Sequence, residues 1–181
     1  MRFPVVCALL SAGLTFSGSE AISQDPSISP NRRESGVLEV GGTFVHSDGV
    51  RIADPTRSAP HSVQVWVELV DLASTVPLPT EYEPISSMYR IGASERVIAR
   101  PGSFRISIPL AETIPNEKER LFIICLLNDG SVYTYPDREP TYQYSWREAT
   151  TIVDLAEKLA TIRFGDLDQE GTVFALVMKK D

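Results

Sequence analysis

A chain of 181 residues with 24 acidic against 17 basic side chains carries a formal net charge of -7. That balance argues against a nucleic-acid partner, whose phosphates are held by clustered Lys and Arg, and equally against an anionic membrane surface. With 43% hydrophobic residues, the length suits one domain able to bury its own core.

At the N-terminus, Arg2 supplies a positive charge, Val5 to Phe16 is an almost unbroken apolar run, and Ser19-Glu20-Ala21 sets small residues where a signal peptidase inspects. Residues 1–21 therefore read as a secretory signal. The run falls short of the ~20 apolar residues a spanning helix needs, and no other segment approaches that length. The expected protein is exported, periplasmic or secreted, without a transmembrane segment. Removal of the signal takes Cys7 with it and leaves Cys125 with no internal partner. Cys125 lies within the apolar run Leu121 to Leu127, where it reads as a buried small hydrophobe rather than a nucleophile, because no local cation lowers its pKa.

Residues 22–36, rich in Ser, Pro, Asn and Arg, hold too little apolar surface to offset the entropy of ordering and are expected to be a flexible leader. The domain is then 37–181, with a first strand over Val37 to His46 and Gly41-Gly42 marking a bulge or close backbone approach. Ser62 to Leu72 alternates Val63, Val65, Val67 and Leu69 with more polar neighbours, the period of a half-buried strand. Met88 to Ile91 and Arg96 to Ala99 suggest a short strand pair around Gly92. Phe104, Ile106 and Ile108 alternate with Arg105 and Ser107 between the turn signals Pro101-Gly102 and Pro109.

The continuous run Leu121 to Leu127 predicts a strand covered on both faces. Asn128-Asp129-Gly130 after it predicts a tight hairpin returning through Ser131 to Tyr135. In Glu148 to Ile162, Ile152, Leu155, Ala156, Leu159 and Ala160 share one helical face, while Thr150 to Val153 is β-branched; a strand-like start and a short helix at Asp154 to Thr161 are expected. Thr172 to Met178 is the closing strand. Short strands, frequent turns and no βαβ alternation predict an all-β fold, an antiparallel β-sandwich of immunoglobulin or transthyretin type with one short C-terminal helix. A small barrel is the alternative.

Read in order, Val40-Gly41-Gly42-Thr43-Phe44, Val65 to Leu72, Gly102 to Pro109 and the strand with Asn128-Asp129-Gly130 resemble the small exported bacterial β-sandwich proteins of the type III secretion lipoprotein chaperone (pilotin-like) family. Asp71-Leu72-Ala73-Ser74 and Ile114-Pro115 occupy comparable places, and the resemblance spans Val37 to Pro136. It implies a non-enzymatic role in the cell envelope, as a chaperone or accessory protein with a protein partner. Two departures stand out. Cys7 comes too early and in too poor a context for acylation, so no lipid anchor is expected. Val76 to Pro84 and the tail beyond Pro140 lie outside the pattern.

The aromatic stretch Tyr133 to Trp146 is the most unusual local composition. If Tyr142 to Trp146 is extended, Tyr142, Tyr144 and Trp146 share a face and could stack on a glycan or a partner peptide. The preferred reading is that these rings cover the edge of the core. Asp137 and Glu139, flanked by prolines, read as a soluble loop rather than an acid–base pair of a carbohydrate-active enzyme. Asp166, Asp168 and Glu170 begin like a calcium loop, but Val177 stands where a bidentate Glu is needed, and a solvated turn is preferred. His46 and His61 have no partner at metal-ligand spacing. No catalytic motif is present, so neither an enzyme, a cofactor nor a metal is expected.

Overall fold

A computed structural model describes residues 33–71, 75–98, 102–111, 117–133 and 141–180. The predicted signal lies outside them, as do Asp137 and Glu139. All described strand pairs are antiparallel. The strands are β1 (Arg33–Leu38), β2 (Thr43–Val45), β3 (Arg51–Ala53), β4 (Val63–Val70), β5 (Tyr82–Ala93), β6 (Val97–Ile98) and β7 (Phe104–Pro109). After them come β8 (Leu121–Tyr133), β9 (Thr141–Ala149), β10 (Ile152–Asp154), β11 (Leu159–Phe164), β12 (Asp166–Leu167) and β13 (Thr172–Lys179). They form a six-stranded sheet in the order β1-β4-β5-β13-β8-β9, a five-stranded sheet β10-β11-β7-β3-β2, and the pair β12-β6.

Alternation places the core where the sequence predicts. Val63, Val65 and Val67 of β4 are buried, and so are Phe104, Ile106 and Ile108 of β7. Val65, Ile91 and Phe174 from the larger sheet join Ile52, Ile106 and Ile162 from the smaller one in a single hydrophobic cluster. Each such side chain, fully buried, contributes roughly 1.5–3 kcal/mol before entropy is charged against it.

Strand β8 is covered on both faces, as its unbroken apolar run requires. Ile123 and Cys125 belong to the shared core, whereas Ile124 belongs to a second cluster with Met88, Val173, Ala175 and Val177 on the sheet's other face. Part of that face is covered by residues 75–81, which lead into β5. Leu78 packs on the second cluster, and the Trp146 indole N–H donates to the Val76 carbonyl at 3.1 Å. The Lys180 amide donates to Glu81 O at 2.8 Å. Residues 75–81 thus form a strap over part of the outer face.

Several expectations need correction. No helix occupies Asp154 to Thr161. Asp154 Oδ1 accepts from the amides of Ala156 and Glu157 at 2.9 and 3.0 Å, and Lys158 takes φ 52, closing a turn between β10 and β11. Pairing of β11 with β7 buries Ala160 and Ile162 at period two, and this sheet contact overrides the helical periodicity. The sheet also starts before Val37: Arg33 to Gly36, assigned by sequence to the leader, form most of β1. Arg33 stacks 3.9 Å from the centre of the Trp66 ring and bonds Glu68 at 3.1 Å, contacts invisible to a local reading of composition.

The expected first strand splits in two. A turn with Gly42 N donating to Glu39 O at 2.7 Å and Gly41 at φ 78 carries the chain from β1 in one sheet to β2 in the other. Of the expected strand Arg96 to Ala99, the described part, Val97–Ile98, pairs with β12 and not with Met88 to Ile91, and β5 is one long strand. Thr172 to Met178 is interior, seated between β5 and β8. The Asp129-Gly130 signal does not make a hairpin. Strand β8 runs on to Tyr133, and its register against β9 shifts between Asn128 and Val132, so the turn-prone residues are taken up in a bulge.

Candidate functional site

Among the described residues, the edges of the two larger sheets are β1, β9, β2 and β10. Strands β2 and β10 have three residues each, while β9 has nine. The β1 edge carries Arg33 and Glu34, charges of the kind that blunt an edge. Glu34 also reaches the turn between β2 and β3, accepting from Ser47 N at 3.0 Å. Strand β9 is different: its centre is the uncharged Tyr144-Ser145-Trp146, and among the described strands it pairs only with β8.

Strand alternation puts Tyr144 and Trp146 on the outer face, opposite Asn128 and Leu126 of β8. Their roles diverge there. Trp146 packs on the second cluster and spends its N–H on the strap, whereas Tyr144 is 43% exposed. Tyr142 pairs with Val132 in the backbone register. Of the three sequence-predicted aromatics, the structure therefore ties Trp146 to the strap and leaves Tyr144 facing solvent.

Beside Tyr144 runs a groove of about 340 Å³ floored by Leu126 and Val173 and walled by Val76, Arg90 and Glu170. It continues over Tyr144 and Gly171 into a second depression of about 300 Å³ near Arg96 and Asp168. The groove residues are scattered along the chain, and only the doubly buried run at Leu121 to Leu127 hinted that another segment must lie over that face. A larger hollow of about 520 Å³ lies at Leu69, Val70, Pro84 and Ile85, with Asp71 its single ionisable lining residue among the described residues.

The acids of the suspected calcium loop go to separate tasks. Asp166 pairs with Arg96 at 2.9 Å, and Asp168 Oδ1 accepts from Gly171 N at 2.6 Å. No group of three or more His, Cys, Asp or Glu side chains able to hold a metal occurs among the described residues. His46 is buried with Nδ1 accepting from Asp48 N at 3.1 Å, and His61 meets Glu95 at 2.6 Å on the surface. Cys125 is buried, and burial pushes its thiol pKa up, away from nucleophilic use.

At the far end of β9, the Tyr82 hydroxyl donates to Glu148 Oε1, which also accepts from Lys179 Nζ at 3.2 Å. The Tyr82 bond, followed by that from Lys179, holds the Glu148 carboxyl below its ordinary range. Burial, and then Glu148, raises Tyr82 from 10.0 to about 12. The signs follow from linkage: stability from Glu148 is present above the unfolded carboxyl pKa and lost as pH falls through the lowered folded value. Stability from Tyr82 is present below 10.0 and lost as pH rises toward about 12. Urea unfolding at stepped pH should therefore show Tyr82→Phe with a shallower alkaline fall than the parent and a weaker acid-side dependence. Parallel curves would mean that the cluster does not couple to folding. Tyr89, also raised by burial, supplies alkaline dependence that survives the change.

Among the described residues no helix is long and apolar enough to cross a membrane. No protein-family model matches the chain, and a search of curated proteins finds no match.

Proposed function

We propose that this chain is an exported, non-enzymatic binding or chaperone-like accessory protein of the cell envelope, and that it takes an extended protein segment on the β9 edge. The observation that carries this reading is a nine-residue edge strand with an uncharged centre and a part-apolar groove alongside. An added strand satisfies the outward backbone groups of β9, while Tyr144 and the groove accept its side chains. Two antiparallel sheets around one core support an immunoglobulin- or transthyretin-like sandwich as the scaffold. The N-terminal signal pattern supports export, and the pilotin-like resemblance supports the envelope role. A glycan platform has less in its favour, because Trp146 is committed to the strap.

Selection from a displayed library of extended peptides tests the reading. Binders should weaken by about tenfold or more in Tyr144→Ala, the scale of losing a central aromatic anchor, with little change in unfolding midpoint. Trp146→Ala should instead cost about 1–3 kcal/mol of stability by releasing the strap. Binders insensitive to Tyr144, or glycans that bind and depend on it, would overturn the edge reading.

A further inference from the structure

We propose that β9 pairs antiparallel with β9 of a second copy of this chain, about a two-fold axis passing through Ser145. The inference rests on the edge reading above and names the partner of that same edge.

The register argument is specific. Ser145 is the midpoint of Thr141–Ala149, so a two-fold there is the one register that overlaps all nine residues. It sets Tyr144 opposite Trp146 of the second copy and Trp146 opposite Tyr144, two cross-strand aromatic pairs on the outer face, the arrangement that most favours antiparallel pairing. Arg147 falls opposite Gln143 and Glu148 opposite Tyr142, so no like charges meet. A two-fold through Arg147 would oppose two arginines, and one through Trp146 would set Arg147 against Ser145 and lose both Tyr–Trp pairs.

Ser145 adds an independent observation. Its Oγ is shielded from solvent yet has no hydrogen-bond partner among the described residues. Buried hydroxyls are ordinarily paired. On the axis, each Ser145 lies opposite its own image at the short spacing of directly opposed residues, where a turn about χ1 releases the shielded hydroxyl from its unpaired position and lets one donate to the other. The pairing also removes the longest open edge of the six-stranded sheet, a hazard that proteins otherwise blunt with charge or cover. An extended partner must then displace the second copy to gain the edge.

Two measurements on the full exported protein decide the matter. Light scattering coupled to size exclusion over a concentration series should give twice the protomer mass at the upper end, with Tyr144→Ala dissociating at about tenfold higher concentration, since it deletes two aromatic pairs. In Ser145→Cys, mild oxidation should cross-link the two copies rapidly, because the new thiols face each other. Arg147→Cys, facing Gln143, should cross-link far more slowly. Protomer mass throughout, or cross-linking no faster at position 145 than at 147, overturns self-pairing. If displayed peptides still bind at β9 in that event, the edge reading survives it; if they do not, both fall.

Discussion

Replacing Phe174 with alanine is expected to lower the unfolding free energy by about 3–5 kcal/mol, the range for removing a buried aromatic from a rigid core. Phe174 is wholly buried on β13, the strand held between β5 and β8, and it meets Phe164 edge to face with ring centroids 5.1 Å apart. Phe164 belongs to β11 in the other sheet, so the ring bridges the two layers. Sheets cannot close on a lost side chain as a loop can, because their strands are tied at fixed spacing on both sides. Urea unfolding followed by tryptophan fluorescence should show the midpoint fall with little change in slope. A loss below about 1 kcal/mol would mean that the two sheets repack around the cavity and that the core is far looser than its burial implies.

Asp54→Ala is expected to cost about 2–4 kcal/mol by a different mechanism, the stranding of buried backbone donors. Asp54 is fully buried. Its Oδ1 accepts from Ser58 N at 2.8 Å, and its Oδ2 accepts from Ala59 N at 3.1 Å and Gly41 N at 3.3 Å. One carboxylate thus ties the turn that carries the chain between sheets to the loop that precedes β4. Asp54→Asn keeps a single acceptor oxygen and turns an amide N–H₂ toward one set of donors, so it should fall between alanine and the parent. If alanine and asparagine were both neutral, water would have to be reaching these amides. Asp54-Pro55 is a turn signal in its own right, but the sequence shows nothing of the contact with Gly41, thirteen positions earlier.

Where a residue's fate depends on its near neighbours, the sequence was enough. Alternation in β4 and β7 identified their buried faces, and the unbroken run in β8 required cover on both sides. Local signals failed where a distant strand competed. Asp154 and Lys158 make a turn because β11 pairs with β7, and Asp129-Gly130 enters a bulge because β9 returns only at Thr141. Arg33, in a stretch with almost no apolar content, is held by Trp66 and Glu68 from β4.

The candidate site divides along the same line. The aromatic stretch was visible as composition, and the shared face of Tyr144 and Trp146 followed from strand periodicity. Their separate tasks did not, because the partner that occupies Trp146 is the Val76 carbonyl, seventy positions away. Period two and apolar content report only which way a side chain points, so the all-β class, the main strands and the core faces could be read without coordinates. Strand order, the two-sheet crossover at Gly41, the strap over the outer face and the position of β9 at an edge rest on long-range pairing, whose free energy belongs to surfaces that meet only once the chain has folded.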